Sequence, residues 1–282
     1  MPSKLSIITI TYNNLVGLRK TVESVFSQTY TDFEYIIIDG ASTDGTYDYL
    51  QEIRSQWSKP AEQMHIVSES DTGIYNAMNK GIRLAHGEYL QFLNAGDYLT
   101  TPTILDEVFA VPTTADVVYG NRIDVFATGE KQNRKMPPQI TAHFLWQSMI
   151  SHQASFIRRR LFDAIGLYRE DLKYASDWEF FLKAFVRHNA TNRYVDLYVV
   201  YFDLGGISTD AANRAEMLEE RNRVFAETLP YLVTDFQTMD TYISTLRQYD
   251  RRANALGKKI LYIPRLIYRK GVQLKHKIWL SK

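Results

Sequence analysis

The sequence predicts an α/β fold with a doubly wound, mainly parallel sheet flanked by helices. Short β-branched runs alternate with segments of helical apolar periodicity through the first hundred residues. Four strands separated by three helices imply such a sheet. Hydrophobic residues make up 45% of the 282 residues, which suffices for an ordinary core.

The first half of the chain carries the clearest strand and helix patterns. Apolar runs predict strands at residues 5–10, 33–38, 64–67 and 88–93. The helices between them are predicted from apolar stripes: one begins near Leu15, one carries Tyr49, Leu50 and Ile53, and one covers about 73–85. Because such sheets bind ligands at the carboxyl ends of their strands, the polar residues after each strand are the first candidates for a site.

The second half is less regular. Residues 117–119 and 122–126 predict a hairpin across Gly120 and Asn121, and we place a boundary near residue 119. Further elements are predicted in the order helix 144–150, strand 153–157, helix 177–186, strand 194–202 and helix 211–228. The chain is thus divided into residues 1–119, residues 120–210 and a helical extension over residues 211–282.

Charge is unevenly distributed along the chain. Residues 251–282 hold ten Lys or Arg and no Asp or Glu, whereas the other 250 residues carry 23 basic and 32 acidic side chains, a formal charge of −9. This composition gives no reason to expect nucleic-acid binding. Residues 258–282 interleave apolar and basic side chains, which favours a helix on an anionic membrane surface. A helix docked on the core with a solvated basic face is the alternative.

The lengths of the apolar runs and the lack of cysteine bear on the expected cellular location of the protein. The opening run of six apolar-rich residues is too short for a signal peptide, and no run reaches the roughly 18 residues of a membrane-spanning helix. The chain has no cysteine, so thiolate zinc sites and cysteine nucleophiles are excluded. We expect a cytoplasmic protein, peripheral on the inner face of the cell membrane.

Several common nucleotide and hydrolase motifs are absent. The turn after the first strand lacks G-x-G-x-x-G, and neither a G-x-x-x-x-G-K-[ST] loop nor a G-x-S-x-G elbow occurs. The remaining motifs lie mostly at predicted strand ends, in residues 6–13, 38–45, 68–81, 92–97, 151–153 and 175–181. Together, in this order and spacing, they resemble the family-2 inverting glycosyltransferases of GT-A fold, of the bacterial polysaccharide-biosynthesis type, up to about Thr209.

The resemblance implies transfer of a hexosyl or N-acetylhexosaminyl group from a nucleotide diphosphate sugar, with UDP expected, to a saccharide or lipid-linked saccharide. Residues 1–119 would bind the nucleotide sugar, and residues 120–210 would bind the acceptor and carry out catalysis. A membrane-associated tail would suit a lipid-linked acceptor. The competing hypotheses are a non-catalytic nucleotide- or carbohydrate-binding protein and a sugar-phosphate nucleotidyltransferase, although the glycine-rich, basic phosphate loop of the latter is missing.

The predicted donor-binding residues are Thr11, Tyr12, Asn13, Asp39, Asp71, Asn79, Asn94 and Asp97. Tyr12 has an aromatic face on which a nucleobase can stack, or it is a packed loop residue. Asp39 matches the family position that contacts the nucleoside. Asp71 either caps the following helix or lies by the nucleotide.

Asp97 is the predicted metal ligand, for Mn²⁺ or Mg²⁺. A divalent cation stabilises the charge that grows on a departing diphosphate. Related proteins usually carry two or three aspartates in this loop, whereas here it reads Asn94-Ala95-Gly96-Asp97. A metal remains the prediction because these cations often need only one or two protein carboxylates. A metal-independent or inactive site is the alternative.

Asp177 is the predicted general base, because an acceptor hydroxyl must lose its proton as it attacks the anomeric carbon. Relatives carry an acidic residue directly before a tryptophan here, and this chain has Asp177-Trp178. A helix cap is the structural alternative. His152, Gln153 and Trp178 are predicted to contact the acceptor or the donor sugar, although a lone histidine is as often structural.

Overall fold

The computed structural model describes residues 4–58, 60–206, 211–249 and 251. The chain divides into two compact units, Met1–Thr228 and Leu229–Lys282. In the second unit a 3₁₀ turn at Pro230–Leu232 precedes a helix over residues 233–249. No helix among the described residues is long and apolar enough to cross a bilayer. The predicted basic tail, 258–282, lies outside the described residues, and the functional divisions at residues 119 and 210 stay predictions.

Within the described part of the first unit, nine strands form one sheet, in the order β3-β2-β1-β4-β8-β6-β9-β5 with β7 beside β6. Their bounds are β1 Leu5–Thr11, β2 Phe33–Asp39, β3 Met64–Ser68, β4 Tyr89–Asn94, β5 Tyr98–Leu99, β6 Val117–Val125, β7 Lys131–Arg134, β8 Ser155–Arg158 and β9 Asn192–Asp203. The first four strands are parallel, as predicted. The strand β8 runs antiparallel to both β4 and β6, and β9 runs parallel to β6.

The α-helices of this unit are α1 Leu15–Phe26, α2 Thr46–Gln56, α3 Ile74–Leu84, α4 Ile104–Phe109, α5 Ala142–Gln147, α6 Arg159–Ile165, α7 Ser176–Leu182 and α8 Arg214–Thr228. A π-helical turn, Lys183–Arg187, continues α7. The predicted helix 144–150 therefore begins two residues earlier and ends at Gln147.

The apolar strands are buried on both faces, which explains their continuous hydrophobic runs. Alternation along β1 sends Ile7 into one core cluster with Leu18 of α1 and sends Ile8 into the other with Met78 of α3. This is the doubly wound arrangement predicted from the sequence. It leaves the strand ends at the rim of the sheet.

The predicted hairpin across Gly120 and Asn121 is wrong, because β6 runs unbroken through both residues. A Cβ at residue 120 would lie 2.8 Å from the Leu197 oxygen and 2.7 Å from the Val199 Cγ2 atom. The glycine therefore allows close approach of β9, and the pairing changes register beside it. The pair Gly120-Asn121 is also typical of a tight turn, so the sequence alone does not distinguish a turn from a close contact between two strands.

Candidate active site

A cavity of about 670 Å³ opens at the carboxyl ends of the parallel strands. Its walls include the ends of β1, β4 and β9, the start of α3, and the segments before β8 and α7. Among the predicted site residues, those that line it are Thr11, Tyr12, Asp71, Asn94, Asp97, His152, Gln153 and Asp177. The fold thus brings together residues more than 160 positions apart in the chain.

The reversed direction of β8 brings His152 and Gln153 to this rim. Because β8 is antiparallel to β4, the segment before β8 lies beside the carboxyl end of β4. The side-chain nitrogen of Gln91 in β4 donates to the Gln153 backbone oxygen at 2.9 Å and fixes this position. The Gln153 side chain itself accepts a hydrogen bond from Ser151 at 2.8 Å.

Two predicted donor residues, Asn13 and Asp39, are not part of the cavity lining and instead hold the strand-end loops. Asp39 is fully buried and accepts hydrogen bonds from the hydroxyls of Ser42 and Ser68 at 2.5 and 2.6 Å. Asn13 Oδ1 accepts from the Thr43 backbone at 2.8 Å. These contacts position the loops after β1 and β2.

Asn79 and Trp178 are also not part of the lining. Both polar atoms of the Asn79 amide bond the Tyr168 backbone, at 2.8 and 3.0 Å, which ties α3 to the segment before α7. Trp178 is 2% exposed and donates its indole N–H to the Leu145 oxygen at 2.7 Å. The Arg221 guanidinium lies 4.5 Å from the centre of the Trp178 ring, so the contacts of this tryptophan are with the protein itself.

Tyr12 and Asp71 converge over Gly40. A Cβ at residue 40 would lie 2.6 Å from the Asp71 Oδ2 atom and 3.1 Å from the Tyr12 Cδ2 atom. Tyr12 is 66% exposed, so its ring is open to a ligand. Asp71 also accepts from the Gly73 backbone at 2.9 Å, just ahead of α3, so it combines the local capping contact with a place in the cavity wall.

Asp97 lies beside a second carboxylate, Asp203, which sequence reasoning missed. The Asp203 backbone donates to the Asp97 Oδ1 atom at 3.0 Å, and Asp203 also lines the cavity. Burial raises the pKa of Asp97 to about 7, with a smaller upward contribution from Asp203, against lowering hydrogen bonds and His152. The sequence carries one signal that could have identified Asp203, because this residue directly follows the predicted strand 194–202.

The Asp97 and Asp203 pair is chemically suited to Mg²⁺ or Mn²⁺. Both cations prefer oxygen ligands and need few protein carboxylates when phosphate oxygens and water complete the shell. Burial raises the pKa of Asp97 because its hydrogen bonds and the charge of His152 offset the desolvation of this carboxyl group only in part. A bound cation would supply positive charge that offsets the remainder.

Asp177 is the centre of a hydrogen-bonded group. The His152 Nδ1 atom lies 2.7 Å from Asp177 Oδ2, while the Tyr75 hydroxyl and the Trp178 backbone N–H donate to Oδ1 at 3.0 and 2.8 Å. Burial alone would raise the pKa of Asp177, but the hydrogen bonds and the charge of His152 outweigh it and hold the pKa below its ordinary value. Tyr75 was missed because its position in α3 fits an ordinary apolar stripe.

Among the residues that the structure describes, three buried polar atoms of the cavity lining have no hydrogen-bond partner: Thr11 Oγ1, Asn94 Oδ1 and His152 Nε2. Buried polar groups in folded proteins are nearly always paired. Their concentration in one cavity, together with the acidic pair, indicates a binding site for a polar ligand.

The family model for glycosyl transferase family 2 matches residues 6–171, more than half of the chain. The chain belongs to this family. A PGL/p-HBAD biosynthesis glycosyltransferase of Mycobacterium bovis is 33% identical over 213 residues, which are 74% of this chain and 80% of the relative. The uncharacterized glycosyltransferase EpsJ of Bacillus subtilis is 27% identical over 202 residues, which are 64% of this chain and 56% of that protein.

Solved glycosyltransferase structures share the GT-A fold of this family-2 member. The mannosyltransferase PcManGT of Pyrobaculum calidifontis, in complex with GDP-Man and Mn²⁺, matches with a TM-score of 0.61 and 18% identity over 82% of this chain and 65% of its own. TarS of S. aureus, in complex with UDP-GlcNAc, matches with a TM-score of 0.59 and 21% identity over 79% of this chain and 66% of its own. These likenesses confirm the fold predicted from the sequence.

Proposed function

We propose that this family-2 glycosyltransferase moves a hexosyl or N-acetylhexosaminyl group from a nucleotide diphosphate sugar to a saccharide or lipid-linked saccharide, with inversion. UDP is the proposed nucleotide. The observation that carries the proposal is the single cavity in which an ionised, buried Asp177 and the Asp97 and Asp203 pair occur together with unpaired polar atoms. A carboxylate base and an acidic pair that suits a cation are what such a transfer needs.

The donor is proposed to bind along the ends of β1, β2 and β4. The exposed ring of Tyr12 stacks on the base, and Asp71 accepts hydrogen bonds from the nucleoside. Thr11 and Asn94 offer their unpaired oxygens to donor hydroxyls. Lys173 brings an ammonium group to the same cavity, where it attracts the diphosphate.

Asp97 and Asp203 would hold Mn²⁺ or Mg²⁺ together with the diphosphate. The cation supplies positive charge that stabilises the departing nucleotide diphosphate. The complex of PcManGT with GDP-Man and Mn²⁺ supports this proposal.

Asp177 is proposed as the base that accepts the proton of the acceptor hydroxyl. Oδ1 already accepts two hydrogen bonds, so Oδ2, whose polar partner among the described residues is His152, is the proposed proton acceptor. His152 keeps the carboxylate ionised and fixes its orientation. Inversion needs one displacement and one such base, and this arrangement provides one.

A cytoplasmic location at an anionic membrane surface is part of the proposal. Removal of residues 258–282 is expected to abolish sedimentation with anionic vesicles, because that segment carries apolar and basic side chains together. Unchanged sedimentation of the truncated chain would overturn the membrane interaction.

The experiment is a panel of nucleotide sugars, each with Mn²⁺, Mg²⁺ or a chelator, assayed by thermal stabilisation and donor hydrolysis. We expect one donor to stabilise the protein and to be hydrolysed only with metal, and both effects to disappear in Asp97→Ala. Asp177→Asn should keep the stabilisation and lose the hydrolysis. Binding without turnover in every condition would indicate a binding protein instead of a transferase. No response to any donor would overturn the proposal.

A further inference from the structure

A second cluster of metal-ligating side chains lies at the opposite edge of the sheet, where the parallel strands begin. Glu34 is in the second position of β2, His65 is in the second position of β3, and His86 precedes β4. One ligand atom from each residue lies within 4.8 Å of the others. The active-site cavity contains none of these residues.

Glu34 is buried and fixed through one oxygen. It is 4% exposed, and its Oε1 atom accepts hydrogen bonds from the Ser6 hydroxyl at 2.6 Å and from the His86 and Gly87 backbone at 2.5 and 2.9 Å. This leaves Oε2 directed at the two imidazoles. Among the described residues, the ion-pair partners of Glu34 are these two histidines, so no lysine or arginine compensates its charge.

The distances around Oε2 suit a shared cation better than direct hydrogen bonds. The His65 Nε2 atom lies 3.7 Å from Oε2 and the His86 Nδ1 atom lies 3.5 Å from it. Charge-assisted hydrogen bonds are about 2.7–2.9 Å long. Ligand atoms of a tetrahedral zinc ion with bonds of about 2.0–2.2 Å lie about 3.3–3.6 Å apart. The two distances from Oε2 are close to this spacing, and the third pair of ligand atoms also lies within 4.8 Å, so small side-chain movements bring all three atoms around one ion.

We propose that Glu34, His65 and His86 form a zinc site at the edge of the sheet opposite the glycosyltransferase cavity. Two imidazole nitrogens and one carboxylate oxygen favour Zn²⁺ over the oxygen-preferring Mg²⁺ and Mn²⁺. The side chains of His65 and His86 are 32% and 69% exposed, so an ion has access and water completes the coordination. The ion joins β2, β3 and the connection before β4, and thus stabilises the sheet edge.

The test is zinc titration of the chelator-treated, untagged full chain by calorimetry, with cobalt absorption as a second readout. We expect one zinc ion per chain at this site, no competition by excess Mg²⁺, and a thermal midpoint that rises with zinc. His65→Ala, His86→Ala and Glu34→Gln should each weaken zinc binding by about tenfold or more, because outer-shell changes alone already cost that much. The variant Glu34→Gln retains an oxygen acceptor for the Ser6 hydroxyl.

His188→Ala is the matched control, because His188 is exposed and lies outside the cluster. Its zinc affinity should equal that of the wild type. Circular dichroism in chelator checks that every variant is folded. Absence of stoichiometric zinc binding, or equal affinity in the wild type and the three cluster variants, would overturn the proposal. Loss of zinc binding in Asp97→Asn would also overturn it, because the ion would then belong to the cavity.

Discussion

Removal of the Tyr75 hydroxyl should reduce the ionisation of the Asp177 carboxylate at low pH while the Tyr75 ring stays in place. The hydroxyl donates to Asp177 Oδ1 at 3.0 Å, and Tyr75 is 6% exposed, so solvent does not replace the lost bond. A hydrogen bond to a charged group contributes about 1.5–3 kcal/mol. One pKa unit corresponds to about 1.4 kcal/mol, so Tyr75→Phe should raise the pKa of Asp177 and move the acid limb of the activity profile up by about one to two pH units.

The sign follows from the reaction, since only the ionised carboxylate accepts a proton. In the wild type the hydrogen bonds and the charge of His152 lower the pKa of Asp177, so the base stays ionised further into the acid range than an ordinary aspartate. The assay is kcat/KM for donor hydrolysis against pH, with the nucleotide sugar that the donor panel selects. As the pH is lowered, kcat/KM of Tyr75→Phe should begin to fall at a higher pH than that of the wild type. Above that pH, kcat/KM of the variant should keep its full value.

Tyr168→Phe is the matched control. The buried Tyr168 hydroxyl has no hydrogen-bond partner in the described part of the chain, and its ring packs on Tyr75 at 5.7 Å between centres. The same atom is removed without loss of a bond to Asp177. We expect the acid limb of Tyr168→Phe to coincide with that of the wild type. An unmoved limb in Tyr75→Phe, or an equal displacement in both variants, would refute the reasoning.

Three further variants separate binding from stability. Asp97→Asn should abolish the metal-dependent stabilisation of the protein by the donor. It should also raise the metal-free stability at pH 8 by up to about 4 kcal/mol, and by less at pH 5, because ionising a carboxyl group with a folded-state pKa of about 7 costs stability as the pH rises from 3.8 to 7. Calorimetry at both pH values measures this difference. Gly40→Ala should weaken nucleotide binding about tenfold or more, measured by titration, because its Cβ displaces Asp71 and Tyr12; equal affinity would contradict it. Trp178→Phe should cost about 1–3 kcal/mol in urea unfolding through a lost hydrogen bond and packing, with donor affinity unchanged; weaker donor binding would restore Trp178 to the site.

The first four strands were predictable because both of their faces are buried. A continuous apolar run such as that of β2 fits few other structures, and the alternating helices fix its parallel partners. Gly120 was misread because a glycine serves a turn and a close strand contact equally well in sequence. The difference depends on Leu197 and Val199, which lie on a strand more than 70 residues later.

The candidate site was predictable where a residue ends a parallel strand, as Thr11 and Asn94 do, or lies in the loop just after one, as Asp97 does. The contact of Tyr75 with Asp177 spans 102 positions and that of Asp203 with Asp97 spans 106, so their pairing is not encoded in local patterns, although the strand-end position of Asp203 was visible. Asp39 shows the opposite error: it lies at the end of β2, but its oxygens accept hydrogen bonds from Ser42 and Ser68 instead of lining the cavity. A position at a strand end therefore predicts that a residue lies near the cavity better than it predicts whether its side chain lines the cavity or holds a neighbouring loop.

The antiparallel direction of β8 gives the enzyme two walls of separate origin. The segment before β8 lies at the same rim of the sheet as the segments that follow the parallel strands. Lining residues between 11 and 97 therefore face the same cavity as lining residues between 152 and 206. The bonds from Tyr75 to Asp177 and from Asn79 to Tyr168 join the two walls. Two hydrogen bonds between distant parts of the chain therefore hold the two walls, and with them the shape of the cavity, together.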